Sequence, residues 1–254
     1  MRLVSLTCSN TEILAALGLG DQLVAVDDHS DYPEDLVRNL PRVGPDLSID
    51  VEKVASLEPD LVLASLTVPG HEVVVAALER AGLPFIAPSP KSLDDVYRDI
   101  RQIADLLGVG GRAESVVLGM KQQLEPAPAV GSRPSIAVQW WPNPVILPGR
   151  NSWVHDLIER AGGRNLLGDE DVESRQVNDE ELRSLAPDAI VLAWCGVELA
   201  KYRPDVVYRN PLWKDVPAVA NRRVVPISEA YLGRPSPRLV TGYHALRGLV
   251  EACA

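Results

Sequence analysis

The stretch "VEKVASLEPDLVLAS", Val51 to Ser65, decides the fold, because the chain writes it twice. From Glu180 to Trp194 it reads "EELRSLAPDAIVLAW". Each copy has an acidic residue near its start, Glu52 and Glu180, spaces apolar residues at helical intervals, breaks at Pro-Asp and ends in a short apolar run. That is a short helix, a stop and a buried strand. Two copies in one chain predict two α/β halves of similar design.

Working outward, "LVSLT", "LVAVD", "LVLAS" and "LPFIAPS" read as strands of the first half. Helical stretches separate them: "SNTEILAALGLG", the stretch from Asp50 to Leu57, and "HEVVVAALERAG". Strands alternating with helices make a parallel sheet with helices on its faces. From Ser92 to about Glu125 no strand interrupts, so "SLDDVYRDIRQIADLLG" and "GRAESVVLGMKQQLE" predict one long helix, bent around "GVGG", before the breaker "PAPAVGSRP". The alternation resumes with "SIAVQWW" as a strand, "SWVHDLIERAGG" as a helix, "AIVLAW" and "RRVVPIS" as strands and "PRLVTGYHALRGLVEAC" as a closing helix. The expected fold is α/β: two Rossmann-like lobes with mostly parallel sheets, 1–91 and 131–254, joined by a helical linker over 92–130. Ligands of open α/β sheets bind outside the carboxyl ends of the strands, so a ligand is expected in a cleft where those ends meet. A helical tie also predicts little hinge motion on binding, since bending a helix breaks its hydrogen-bond ladder.

Composition narrows the function. The net charge of −10 argues against nucleic acid, whose partners carry an excess of Lys and Arg. No apolar run approaches the roughly 18–20 residues of a membrane span. "MRLVSL" has no apolar core of a secretory signal, which leaves a cytoplasmic protein or one whose leader has been removed. Three cysteines, Cys8, Cys195 and Cys253, at no metal spacing predict neither a disulfide framework nor a metal site. No H-E-x-x-H, G-x-S-x-G or P-loop is present, and "GLG" at 18–20 follows a helix and lacks a third Gly, so an enzyme is not expected.

Taken together, "SNTEIL", "SDYP" at 30–33 followed by "LPRVG", "VEKVASLEPDLVLA", "QWWPNPVILPGRNSWVHDLIERAGGRNLL", "LAPDAIVLA" and "RPSPR" resemble, across the whole chain, the substrate-binding proteins of ABC importers for cobalamin, ferric siderophores and haem. The cobalamin branch is the most similar. The resemblance implies a metal-centred ligand with cobalamin first and haem or a ferric siderophore second, a permease–ATPase partner, no catalytic cofactor, a monomer, and a periplasmic or cell-surface location. It also implies that Glu52 and Glu180 dock onto permease arginines. The alternative is a favourable position in the first turn of a helix, although a pair at equivalent places in both lobes is more than propensity requires.

Candidate ligand contacts are Cys8, His29, Ser65, Trp140, Trp141, Trp194, Tyr231 and Arg234. Five Trp and six Tyr against one Phe favour sites with an apolar face and a polar edge, and the aromatic candidates fall at predicted strand ends. Trp140 and Trp141 point to opposite sides of a strand, so one of them belongs to the core. His29 is read as an axial ligand, a cleft contact or a solvated loop residue; it and Ser65 stand where cobalamin-binding relatives tend to carry an aromatic. Arg234 and Arg238 offer guanidinium groups for a carboxylate or phosphate, or belong to a loop in which Ser236 caps the last helix. Asp31, Tyr32 and Pro33 read as a turn, and His71, His155 and His244 as helix residues without metal spacing. Competing readings are a cytosolic corrinoid carrier and a chelatase-like enzyme.

Overall fold

The computed structural model describes residues 1–128, 131 and 133–253. The chain forms two compact units, Met1–Pro90 with Tyr97–Leu118, and Lys91–Val96 with Gly119–Ala254.

In the first unit the order is β1 (Leu3–Ser5), α1 (Cys8–Ala16), β2 (Leu23–Val26), α2 (Glu34–Val37), α3 (Val51–Ser56), β3 (Leu61–Leu63), α4 (His71–Arg80) and β4 (Phe85–Ile86). The strands form a parallel sheet in the order β2-β1-β3-β4. Every residue of β1 is buried, as a strand covered on both faces requires, and this is why it reads as a run rather than an alternation. Val4, Ala25, Val54, Val62 and Leu78 meet in its core.

Next come α5 (Leu93–Leu106) and α6 (Gly110–Gln123). The segment expected as one long helix is two: the chain breaks between them where Gly108 takes a left-handed φ of 71°, a conformation nearly free of cost only for glycine. Arg101 then reaches Glu114 through two hydrogen bonds of 2.6 and 3.0 Å, so the two helices fold back beside each other. The breaker expected after α6 lies partly outside the described residues, at 129, 130 and 132.

The second unit runs β5 (Ser135–Gln139), β6 (Trp141–Pro142), β7 (Val145–Pro148), α7 (Trp153–Arg160), β8 (Arg164–Asn165), β9 (Ser174–Val177), α8 (Asp179–Leu185), β10 (Ala189–Leu192), α9 (Pro204–Tyr208), α10 (Pro217–Ala220), β11 (Val224–Pro226) and α11 (Leu239–Cys253). Its main sheet is parallel in the order β11-β10-β5-β8. A second sheet, β6-β7-β9, is antiparallel and was not expected from the sequence. It corrects one boundary: "SIAVQWW" is not one strand. β5 stops at Gln139, because the Trp140 N–H donates to Ile146 O at 2.9 Å and Trp141 pairs with Ile146 in the hairpin.

The repeated stretch does the same structural work in both units. Asp50 caps α3 by accepting from the Lys53 N–H, and Asn178 caps α8 by accepting from the Glu181 N–H, both at 2.9 Å. Each helix ends at a left-handed residue, Glu58 and Ala186, both with φ 47°, and the following proline has no N–H to continue it. The aspartate after that proline pins the neighbouring strand. Asp60 exchanges bonds with Arg2 just before β1, and Asp188 with Ser135 at the start of β5.

Candidate functional site

In the first unit, Cys8, His29 and Ser65 follow the carboxyl ends of β1, β2 and β3, three adjacent strands. The loop that carries His29 is braced from beneath. Ser30 Oγ donates to Asp27 Oδ1 at 2.5 Å, Thr11 links Ser30 to Ser5 at 2.8 Å each, and Arg42 Nη1 donates to the carbonyls of Asp27 and Ser30. Burial pushes the Asp27 carboxyl above its usual range, although Ser30 and the His29 N–H both stabilise its charge.

His29 itself is half-exposed, and its Nε2 lies 3.9 Å from Asp46 Oδ1. The other oxygen of Asp46 is 3.3 Å from Nε2 of His71. His71 is 3 % exposed and so is a core residue. Its Nδ1 accepts the Val68 N–H, which puts the proton on Nε2 and makes it a donor to Asp46. That hydrogen bond holds Asp46 below the usual carboxylate range, against the opposing effect of burial. The Asp46–His71 pair was missed in the sequence, where "VGPDLS" offers nothing beyond a turn. Ser65 is buried and shares a 2.9 Å hydrogen bond with Thr67, so its hydroxyl is committed locally.

In the second unit, Trp140, Trp194 and Tyr231 follow β5, β10 and β11, again adjacent strands. Trp140 is half-buried with its ring centroid 6.3 Å from that of Trp153, and Trp141 is 41 % exposed. Trp194 is 7 % exposed; its indole N–H donates to Gln139 Oε1 at 2.9 Å and its ring meets Tyr202 at 5.2 Å. Tyr231 ends a 3-10 turn, Glu229–Tyr231, with the Arg238 guanidinium 4.8 Å above its ring. The Tyr231 carbonyl presses onto α11 at Gly242, where a Cβ would come within 2.1 Å of it. Arg234, expected to grip an anion, is mostly buried and bound to Glu229 Oε1 at 2.7 Å. Ser236 is buried, and its hydroxyl accepts from the Arg238 N–H just ahead of α11.

Beside Trp194 lies a cavity of about 430 Å³. Gln139, Trp194 and Trp213 line it together with Asn178, Asp179 and Asn210. Trp213 is 4 % exposed and its indole N–H has no partner. Asn210 Nδ2 lies 3.4 Å from Asp179 Oδ1. Apart from Trp194 these residues were missed, because only the β6-β7 hairpin and the loop after β10 bring them together. Glu52 and Glu180 stand elsewhere in character: both are exposed in the first turns of α3 and α8.

His155, on α7, has a buried Nδ1 without a partner, and His244 packs edge-on to Tyr243 at 5.3 Å. Among the described residues no group of three or more His, Cys, Asp or Glu is placed to hold a metal ion. Cys8, Cys195 and Cys253 form no disulfide among the described residues.

A family model described as periplasmic binding protein matches residues 3–231. An uncharacterized ABC transporter substrate-binding lipoprotein of Bacillus subtilis is 31% identical over 96% of this chain and 78% of its own length. A vitamin B12-binding protein of Vibrio cholerae is 28% identical over 93% of this chain and 84% of its own. Among solved structures, a periplasmic heme-binding protein of Roseiflexus sp. RS-1 matches with a TM-score of 0.83 at 28% identity, covering 99% of this chain and 98% of that one. The chain belongs to the periplasmic binding protein family.

Proposed function

We propose that this family member is the substrate-binding component of an ABC importer, that its cargo is cobalamin or a related corrinoid, and that it delivers the cargo to a permease–ATPase complex. The relatives named for ABC transport and for vitamin B12 support that class. Binding without catalysis is the role assigned, exercised as a monomer outside the cytoplasmic membrane, like the lipoprotein and periplasmic relatives. Among the described residues no helix is long and apolar enough to cross a membrane.

One observation carries the choice of cobalamin. The two arginines that follow the Tyr231 strand end are already engaged, Arg234 by Glu229 and Arg238 by the Tyr231 ring. A flat cargo with free carboxylates, such as haem with its propionates, has to break the Arg234 pair to be gripped. Cyanocobalamin, neutral overall and rich in amides, needs only ring contacts and neutral hydrogen bonds. Cys8, His29, Ser65, Trp140, Trp141, Trp194 and Tyr231 are the proposed contacts.

Haem is the second reading, favoured by the half-exposed His29 ring beside Asp46, where an imidazole could reach a metal centre. For docking, the matching first turns of α3 and α8 support Glu52 and Glu180 as the contacts to the permease. The deciding experiment is a titration of the protein with cyanocobalamin, haemin and a panel of ferric siderophores, followed by tryptophan fluorescence. Cobalamin should quench at the lowest concentration. Quenching by haemin alone, or by none of them, sinks the corrinoid reading.

A further inference from the structure

We infer that the cavity beside Trp194 is a subsite that reads a primary carboxamide, and that it selects amide-bearing cargo against the same cargo carrying a carboxylate. The inference rests on the corrinoid reading above and names the chemistry that would make the protein specific.

The argument is a donor and acceptor count. Trp213 contributes a buried indole N–H that has no partner among the described residues. An unpaired buried donor is costly unless something supplies an acceptor. Trp194 donates to Gln139 Oε1, a bond that leaves the NH2 of that amide as a second donor. Asp179 supplies the acceptor: Asn210 reaches only its Oδ1, and the carboxylate has capacity to spare. Asn178 uses its Oδ1 to cap α8. The residues lining the cavity therefore supply two donors, and exposed Asp179 supplies an anionic acceptor.

A primary carboxamide matches that pattern. Its carbonyl accepts from Trp213 or Gln139, and its NH2 donates to Asp179. A carboxylate matches half of it and places a second negative charge near Asp179, with no Lys or Arg lining the cavity to compensate. Sites built to hydrogen-bond a group discriminate strongly against analogues that leave a buried partner unpaired. A volume of about 430 Å³ admits an acetamide or propionamide arm with room for solvent.

The test compares cyanocobalamin with its monocarboxylic acid derivatives, each having one propionamide hydrolysed, on the full chain at pH 7 by fluorescence titration and calorimetry. At least one acid isomer should bind tenfold or more weakly than cyanocobalamin. Asp179→Asn should narrow that gap to within about threefold, by removing the repulsion. Trp213→Phe should weaken cyanocobalamin itself by about tenfold. Because Trp213 is in the core, Asp179→Asn at an exposed position keeps the test independent of folding. If every acid binds like cyanocobalamin, or the gap is unchanged in Asp179→Asn, the subsite assignment is overturned while the corrinoid reading stands. If wild type binds no corrinoid, both fall.

Discussion

Asp188 Oδ2 accepts from both the backbone N–H and the hydroxyl of Ser135, at 2.8 and 2.9 Å, and its own N–H returns a bond to the Ser135 carbonyl. Its counterpart Asp60 takes one bond, from the Arg2 N–H, in an exposed setting. Hydrogen bonds to a charged group are worth about 1.5–3 kcal/mol each when sheltered and less in water. Asp188→Ala should therefore cost roughly 2–3 kcal/mol and Asp60→Ala less than about 1 kcal/mol. Thermal melts of the two variants check the order; equal losses would refute the account.

Asp46 is held below its ordinary carboxylate range by the hydrogen bond from His71. A lowered folded-state pKa contributes stability above the unfolded value and loses it as pH falls through the folded one. Wild type should exceed Asp46→Asn in stability by about 1–2 kcal/mol near pH 7. The difference should shrink below about pH 4, the ordinary aspartate range. Denaturant melts from pH 7 to pH 3 read it; a gap that is constant with pH contradicts the assignment.

Glu52 and Glu180 are exposed and their helices are capped by other residues. Glu52→Ala and Glu180→Ala should leave the melting temperature within about 1 °C, since exposed charges contribute little to stability. Cobalamin affinity should also be unchanged, while transport in cells or capture by permease-containing membranes falls. Loss of ligand binding by the isolated variant would move that residue into the ligand site.

Tyr231 and Trp194 separate binding from packing. Tyr231 is half-buried and Trp194 is part of the second unit's core. Tyr231→Ala should weaken cobalamin by roughly 1–3 kcal/mol, the range for an aromatic anchor, with little loss of stability. Trp194→Ala should lose both, with a destabilisation of about 3–5 kcal/mol. If Tyr231→Ala binds cobalamin like wild type, that ring is no anchor.

His29→Ala divides the two ligand readings. A cofactor coordinated by the imidazole changes its visible spectrum in the variant; a contact that only lines the surface lowers affinity and leaves the spectrum alone.

The α/β design was legible because repetition carries it: the Val51 and Glu180 stretches specify helix, stop and strand in local terms. The parallel strands were legible as continuous apolar runs. The β6-β7-β9 sheet was not, since "WPNPVILP" folds back on itself among three prolines, and strands of two and four residues leave little period to detect. The aromatic strand ends could be placed because position along a strand is local. Trp213, Asp179 and Asn210 could not, for their meeting depends on where the loop after β10 returns. Arg234 looked available in sequence and is spoken for by Glu229, five residues earlier and one turn away in space.

Gly242 sits on α11, remote in sequence from every strand end, yet the Tyr231 carbonyl rests where its side chain would be. Any residue larger than glycine there acts as a wedge under the tyrosine's backbone. The ring above would shift while its chemistry stayed the same. On the proposed role of Tyr231 as a cargo contact, substitution of Gly242 is expected to alter how firmly the cargo is held by displacing the backbone that carries the ring.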